Sequence, residues 1–542
     1  MGQSLSTENA SKCTLEIPGK GTLTGLSFKS SRTGNTCVNR FAHVPYAKPC
    51  FDETRFTLPQ PLSEDFDYTG DYTELALKCP QPSVPNPKFN YVKSPSNEKI
   101  QYMNIWVPSS DKYKPKTGWP VMIHLHGGWL QYNEPNGDQF NIIEMLDDDE
   151  FHEKFILVVP GYRLNMFGFL SGKELLEENS KNSNFGFWDQ RLAMEWTYEN
   201  IKYFGGDAEK ISVSGLSAGS YSLFFQLAYE IYNPKATQII KQCIFSSNLV
   251  YVQPKTIEEC QNQFDEIIEK LEIPQSLSAS EKLAKLRALD TNFIEDFIPK
   301  LKLHTFRAVT DGHFIHPDLI KDLASGKFAS LVTKKGIRIM NGEVDNEPLK
   351  YSLLNTPLTI EDLPIQIENY YPKHLVPTLM DLYATDDIDT NLPEAELKEE
   401  IRKKYGAIIG DGQVYASARG FINKLVENGF PSSDIFRYRV SYRAKWLDAF
   451  VEPENDVPHA ADITIWFYNL RKGYTEDERN VTHKWLVPYM KFLNFEKDIE
   501  DWPTNDHTKY RLFQKDGSAA YVEDKQWDWG VKVSNTVYTA QA

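Results

Sequence analysis

The sequence predicts an α/β fold in which a mostly parallel sheet is flanked by helices, and three observations carry that prediction. Apolar runs of strand length at residues 102–107, 121–125 and 155–159 are each followed by loop or helix signals. A further run at 211–213 leads toward an apolar helical stretch at 221–229. Between those two stands the pentapeptide Gly215, Leu216, Ser217, Ala218, Gly219, a strand-to-helix turn with a serine at its apex.

In chain order, residues 1–20 read as a polar tail. From there to Phe66, short β-type runs alternate with turn residues and predict a small antiparallel start to the sheet. The Pro- and Asn-rich stretch 79–97 reads as a surface loop. Residues 187–203 carry apolar side chains at helical spacing and stop before Gly205 and Gly206. Residues 256–330 and 356–430 are helical and charged, with a strand-like run at 336–340 between them. There is no internal repeat and no low-complexity segment, so 21–542 is expected to be one large domain behind the tail.

Of the 542 residues, 41% are hydrophobic and 25% charged, the balance of a globular chain with a large core. The net charge of -16 leaves no extended basic face, which argues against nucleic acid as a partner and against an anionic membrane surface. Six cysteines (Cys13, Cys37, Cys50, Cys79, Cys243, Cys260) lack zinc-site spacing. No run has signal-peptide character and none approaches the ~20 apolar residues of a membrane span, so a cytoplasmic location is expected. Gly2 followed by Ser6 fits the N-myristoylation pattern. One acyl chain without a basic cluster holds a membrane weakly, so membrane contact is expected only by that route.

A serine at such a turn must sit in strained backbone, and residues two positions away must be small because strand and helix converge there. Ser217 is therefore the candidate nucleophile. Acyl transfer also needs N–H donors for the oxyanion. His126, Gly127, Gly128 and Trp129 follow the run 121–125 and can supply them, with the N–H of Ala218 as a further donor.

Longer stretches carry a resemblance. Phe204, Gly205, Gly206, Asp207 precede the strand and the serine pentapeptide; Asn184 to Leu192, Pro45 to Ala47 with Arg55 and Phe56, Tyr162 and Arg163 with Gly168 to Leu170, and Trp502 with Pro503 accompany them. Together they resemble the type-B carboxylesterases, the α/β-hydrolases that include cholinesterases and certain fungal lipases, over about Gly21 to Pro503. The resemblance implies an α/β-hydrolase fold and a serine carboxylesterase working through an acyl-enzyme, with no metal or organic cofactor and a small-molecule ester as substrate.

It also implies a triad in the order Ser217, Glu347, His459. Glu347 has Glu343 and Asp345 as local rivals, and Pro348 stands where the family usually has glycine, which would push Glu347 toward extended backbone. His459 lies in Val457, Pro458, His459, Ala460, Ala461, Asp462, with its acidic residue three positions on. Ion pairs Arg55–Glu98 and Arg163–Asp189 are implied as scaffold. The pattern departs from the family at Leu216, often glutamate, and at Trp129, which stands at the third glycine of the oxyanion segment. Without a gap in that match the donors would be Gly128 and Trp129; with a one-residue gap, Gly127 and Gly128. Cys79 lacks its disulfide partner, since Ile100 occupies that region, and Cys260 has no evident one, which suits a reducing compartment. No Trp between Cys79 and Trp106 matches the choline-binding tryptophan, so acetylcholine is not expected, and the stretch from Cys79 to Ile100 is short for the lid of a fungal lipase, so esters of small or medium acids are expected rather than emulsified triglycerides. Two alternatives use the same scaffold: a catalytically inactive binding protein, and an acyltransferase or amidase.

Overall fold

The computed structural model describes residues 10–30, 32–83, 95–469 and 473–541. The N-myristoylation pattern at Gly2 and the middle of the 79–97 loop lie outside them. Twelve strands of the main sheet are labelled here: β1 Ala10–Ile17, β2 Gly21–Lys29, β3 Thr36–Pro45, β4 Tyr102–Pro108, β5 Trp119–Leu125, β6 Ile156–Pro160, β7 Gly206–Leu216, β8 Gln242–Ser246, β9 Arg338–Val344, β10 Ile435–Val440, β11 Lys509–Phe513 and β12 Ala519–Glu523. Their spatial order is β1-β2-β3-β4-β6-β5-β7-β8-β9-β10-β11-β12, with the short strand Gly70–Asp71 beside β2. Every neighbouring pair from β6 through β11 is parallel, while both ends of the sheet are antiparallel.

Parallel strands covered on both faces bury every residue, and β5, β6 and β8 do so along their whole length. Alternation then divides the side chains between two cores. Val121, Ile123 and Leu125 of β5 join the core that holds Val213, Phe245 and Ile339, whereas Met122 joins Ile244, Met340, Trp485 and Trp502 on the opposite face. The helices used below are α1 Phe185–Asn200, α2 Ala218–Tyr232, α3 Glu347–Ser352, α4 Glu394–Gly410 and α5 Ala416–Glu427.

Two expectations need correction. Residues 10–17 are not tail: they form β1, antiparallel to β2 in register from Ala10 opposite Phe28 to Ile17 opposite Gly21. The reason is a period of two hidden among polar residues, with Cys13, Leu15 and Ile17 directed inward and Lys12, Thr14 and Glu16 exposed. The run at 102–107 is a strand, but it pairs antiparallel on both sides and so lies outside the parallel block. Apolarity reports burial of both faces, not strand direction.

Charged struts tie distant segments together. Arg55 binds Glu98 through Nε at 2.8 Å, and Arg163 binds Asp189 at 2.8 and 2.9 Å, as the resemblance implied. A third network had no sequence signal. Arg419 of α5 donates to Glu343 at 2.8 and 2.9 Å and to Asp524 at 2.8 Å, and Arg437 of β10 reaches the second oxygen of Asp524 at 2.5 Å. All four side chains are buried. Removing one partner from such a cluster strands charge in a low-dielectric interior. Arg419→Met is expected to lower stability by about 3–5 kcal/mol, read as a lowered urea midpoint.

Candidate active site

Ser217 joins β7 to α2 with φ 56° and ψ -123°, conformations costly for a residue with a Cβ. The chain makes room for that turn with its two glycines. A Cβ on Gly215 would fall 2.2 Å from the Gly219 carbonyl, and one on Gly219 would fall 1.9 Å from the Leu125 carbonyl oxygen of β5. The Ser217 N–H is tied to the Ser246 carbonyl at the end of β8, at 2.8 Å, which fixes the turn from the other side.

Glu347 opens α3, three residues after β9, and His459 lies in the long loop after β10. A parallel bridge between Asn346 and Pro458 brings the two loops together, with the Asn346 N–H on the Val457 carbonyl at 2.9 Å and its side chain on the Asn455 carbonyl at 3.1 Å. His459 Nδ1 then lies 2.5 Å from Glu347 Oε2. The other carboxylate oxygen accepts the Val344 N–H at 3.0 Å, so Glu347, fully buried, cannot rotate away. Both rivals are engaged elsewhere: Glu343 with Arg419, and Asp345 with Arg439 at 3.0 Å and Ser441 at 2.7 Å.

Pro348 does not force Glu347 into extended backbone. It sits in the first turn of α3, where a missing N–H costs no helical hydrogen bond. It also explains a glycine: a Cβ on Gly410 of α4 would lie 2.9 Å from Pro348, so the proline seats against that helix at backbone distance.

The segment after β5 holds its peptides by their carbonyls. Tyr162 donates its hydroxyl to the His126 carbonyl at 2.6 Å and stacks on the imidazole, ring centres 4.3 Å apart. Burial pushes the His126 pKa down to about 4, so the ring is neutral, and its Nδ1–H donates to the Gly127 carbonyl at 2.9 Å. In a planar trans peptide the N–H opposes the C=O, so the N–H groups of Gly127 and Gly128 are turned away from these anchors. Among the described residues no acceptor takes either one. A Cβ on Gly127 would lie 3.2 Å from Ser217 Cβ, which places this peptide against the serine. The Gly128 carbonyl accepts from Gln131 and Tyr132 in the following turn, and the Trp129 indole stacks on Tyr370 with centres 5.0 Å apart.

Ser217, Gly127, Gly128, Trp129, Ala218 and His459 line one cavity of about 310 Å³, with Glu347 directly behind His459. Every site residue expected from the sequence, other than Gly2, is brought together here. Tyr351, Lys350, Arg307, Asn248 and Gln413 also line the cavity and were not foreseen. Tyr351 packs its ring 5.0 Å from that of His459. Its spacing of four residues from Glu347 on one helix was a usable signal; Arg307 and Gln413 come from helical excursions and had none.

The family model described as "Carboxylesterase family" matches residues 11–529. An uncharacterized esterase/lipase of Schizosaccharomyces pombe is 45% identical over 532 residues, covering 97% of this chain and 96% of its own. A carboxylic ester hydrolase of Gibberella moniliformis is 35% identical over 529 residues, 94% of each chain. Lipase 4 of Diutina rugosa is 26% identical over 541 residues, covering 92% and 89%.

Asp462 lies beneath the histidine loop, fully buried, accepting the Trp466 indole N–H at 2.8 Å. Burial first, and the Glu347 charge as well, raise its pKa to about 6 from the ordinary 3.8. A carboxyl whose folded pKa is raised stabilises the fold fully below about pH 4, and that contribution is lost as pH rises through about 6. Asp462→Asn keeps an acceptor for Trp466. Its stability relative to wild type should therefore rise between pH 4 and pH 7, by about 2–3 kcal/mol at most, measured by urea unfolding at both pH values.

Proposed function

The chain belongs to the carboxylesterase family, and from that premise we propose that it is a serine carboxylesterase in which Ser217, Glu347 and His459 form the triad. The observation that carries the reading is the 2.5 Å contact between His459 Nδ1 and Glu347 Oε2, in the cavity that Ser217 lines. A carboxylate only accepts, so Nδ1 carries the proton and Nε2 is left as the base. His459 takes the Ser217 proton as the oxygen attacks the ester carbonyl, and Glu347 stabilises the imidazolium. The same proton passes to the departing alkoxide. Water, deprotonated by His459, then cleaves the acyl-enzyme and releases the acid.

The N–H groups of Gly127 and Gly128 are the oxyanion donors on the glycine side, with Ala218 at the start of α2 completing the set. Two facts support this pair over Gly128 with Trp129: the contact of Gly127 with Ser217 and the carbonyl anchors at His126 and Gly127. His126 is then a positioning residue, since its Nδ1–H orients the Gly127–Gly128 peptide. The Trp129 indole serves as a wall. A cavity of about 310 Å³ suits short and medium esters better than long-chain ones. No helix among the described residues is long and apolar enough to cross a membrane.

Wild-type protein should be labelled by a fluorophosphonate and should hydrolyse p-nitrophenyl acetate and butyrate faster than palmitate. Ser217→Ala should lose labelling and at least ~10⁴-fold in kcat. Absence of labelling in a folded wild type would overturn the reading in favour of an inactive binding protein. His126→Ala should lower kcat roughly ten- to a hundredfold with KM little changed, because the donors it orients act on the transition state.

A further inference from the structure

The cavity carries a charge pattern at odds with the rest of the chain. The protein has 75 acidic and 59 basic side chains, yet among the described residues that line the cavity there is no Asp or Glu, while Arg307 and Lys350 both line it. Neither cation has a carboxylate partner among the described residues. A cleft lined by one sign of charge concentrates field lines from the low-dielectric walls and draws ions of the other sign.

Arg307 is held, not loose. Its guanidinium lies over the faces of Tyr221, at 4.6 Å, and Tyr370, at 5.3 Å. It gives a long hydrogen bond, 3.2 Å, to Gln413 Oε1, an oxygen shared with Asn248 at 3.3 Å. Gln413 is fixed in turn by the Tyr371 hydroxyl at 2.7 Å. The scaffold connects to the nucleophile turn: the Tyr221 N–H bonds the Ser217 carbonyl at 3.0 Å, and Ser220 holds the Asn248 carbonyl at 2.6 Å. A fork of five donors with one long bond, braced by rings and facing the catalytic cavity, has its remaining hydrogen-bonding capacity open to a carboxylate. Lys350 stands three residues after Glu347 on α3, solvent-accessible at the cavity, where crowding alone acts on its ammonium and no neighbouring carboxylate offsets it.

We propose that this cavity selects esters that carry a free carboxylate elsewhere in the molecule, with Arg307 binding that carboxylate and Lys350 attracting it from solvent. The proposal rests on the ester-hydrolase reading of the same site and adds to it a substrate class. The carboxylate can belong to the acyl part, as in a half-ester of a dicarboxylic acid, or to the alcohol part. The chemistry at Arg307 is the same for both.

The test compares charged and neutral esters of matched size in two arms. Mono-4-nitrophenyl glutarate is set against 4-nitrophenyl valerate for the acyl side, and 4-acetoxybenzoate against phenyl acetate for the alcohol side. In at least one arm wild type should favour the charged ester in kcat/KM by about tenfold at low salt, a preference that shrinks with added salt. Arg307→Gln should remove that preference, and the exposed Lys350→Gln, which has no fold to disturb, should reduce it. Preference for the neutral ester in both arms overturns the proposal, as does an equal loss on both members of a pair in Arg307→Gln. Binding of free glutarate, followed by the fluorescence of Trp129 and Trp446 in the cavity wall, separates this from the esterase reading. Glutarate binding that is lost in Arg307→Gln upholds the anion site even if no ester is cleaved, which would count against the esterase reading alone. Absence of glutarate binding together with absence of charge preference overturns the anion site and leaves the esterase reading standing.

Discussion

Everything at the proposed catalytic end of this molecule depends on a backbone turn that an L-residue resists. Ser217 holds φ 56° and ψ -123°, at a cost of about 1–3 kcal/mol for such a conformation. What sustains it is close packing without side chains: Gly215 against the Gly219 carbonyl, Gly219 against the end of β5, and Gly127 against Leu216 and Ser217. Because β5 neighbours β7 in the parallel block, the same glycine contacts that permit the serine turn bring the 126–129 segment beside it. One constraint therefore places both the proposed nucleophile and the peptides facing it. The strand order does the rest, since β7, β8, β9 and β10 are consecutive and parallel and so deliver the serine, acid and histidine loops to one edge.

The acid and histidine need a separate device, because the loop carrying His459 is long. The Asn346–Pro458 bridge converts that loop into an extension of the acid loop. Tyr415 sits beneath the junction, accepting the Glu347 N–H at 3.2 Å and donating to the Asp345 carbonyl at 2.7 Å. Below it, Arg419 and Arg439 absorb the charge of Glu343, leaving Glu347 as the carboxylate that meets the histidine. The acidic run 343–347 is thus partitioned by direction: alternate positions at the end of β9 face the arginine cluster, and the residue that begins α3 faces the site.

The parts legible in the sequence were those encoded locally. The serine turn showed itself through glycines two positions either side, and the parallel block through buried apolar runs. The proposed triad partners, by contrast, were legible only through family resemblance, since nothing in 343–347 by itself distinguishes Glu347 from Glu343. Residues 10–17 were misread because three inward side chains, one of them cysteine, are outnumbered by polar neighbours. Pro348 was misread because the rule for a residue before proline was applied without knowing that a helix starts there. Arg307, Gln413 and Arg419 were invisible for a different reason: their meaning lies in partners more than 40 positions away, and helical periodicity says nothing about which distant chain a side chain meets.

Buried arginines without carboxylates are not rare in this fold, so the case of Arg307 turns on what surrounds it. Arg40 lies over Phe28 and Trp106 and gives a hydrogen bond to the Thr73 carbonyl. Arg511 lies over Trp485 and Trp502 and bonds the Trp485 carbonyl. In both, burial pulls the pKa down to about 10, because ring faces and one carbonyl compensate incompletely for lost water. Those two join core segments to one another and line none of the catalytic cavity. Arg307 has the same ring bracing, but its hydrogen-bond partner is a side-chain amide shared with Asn248, and it lines the cavity that contains Ser217 as well as two smaller spaces behind Tyr221, one of them also lined by Glu259. Arg40 likewise leaves Nε and Nη1 without hydrogen-bond partners in the core among the described residues, so open donors alone do not mark a ligand site. What distinguishes Arg307 is its place in the wall of the Ser217 cavity, which no acidic residue lines among those described, and that is the arrangement we propose for a ligand's negative charge.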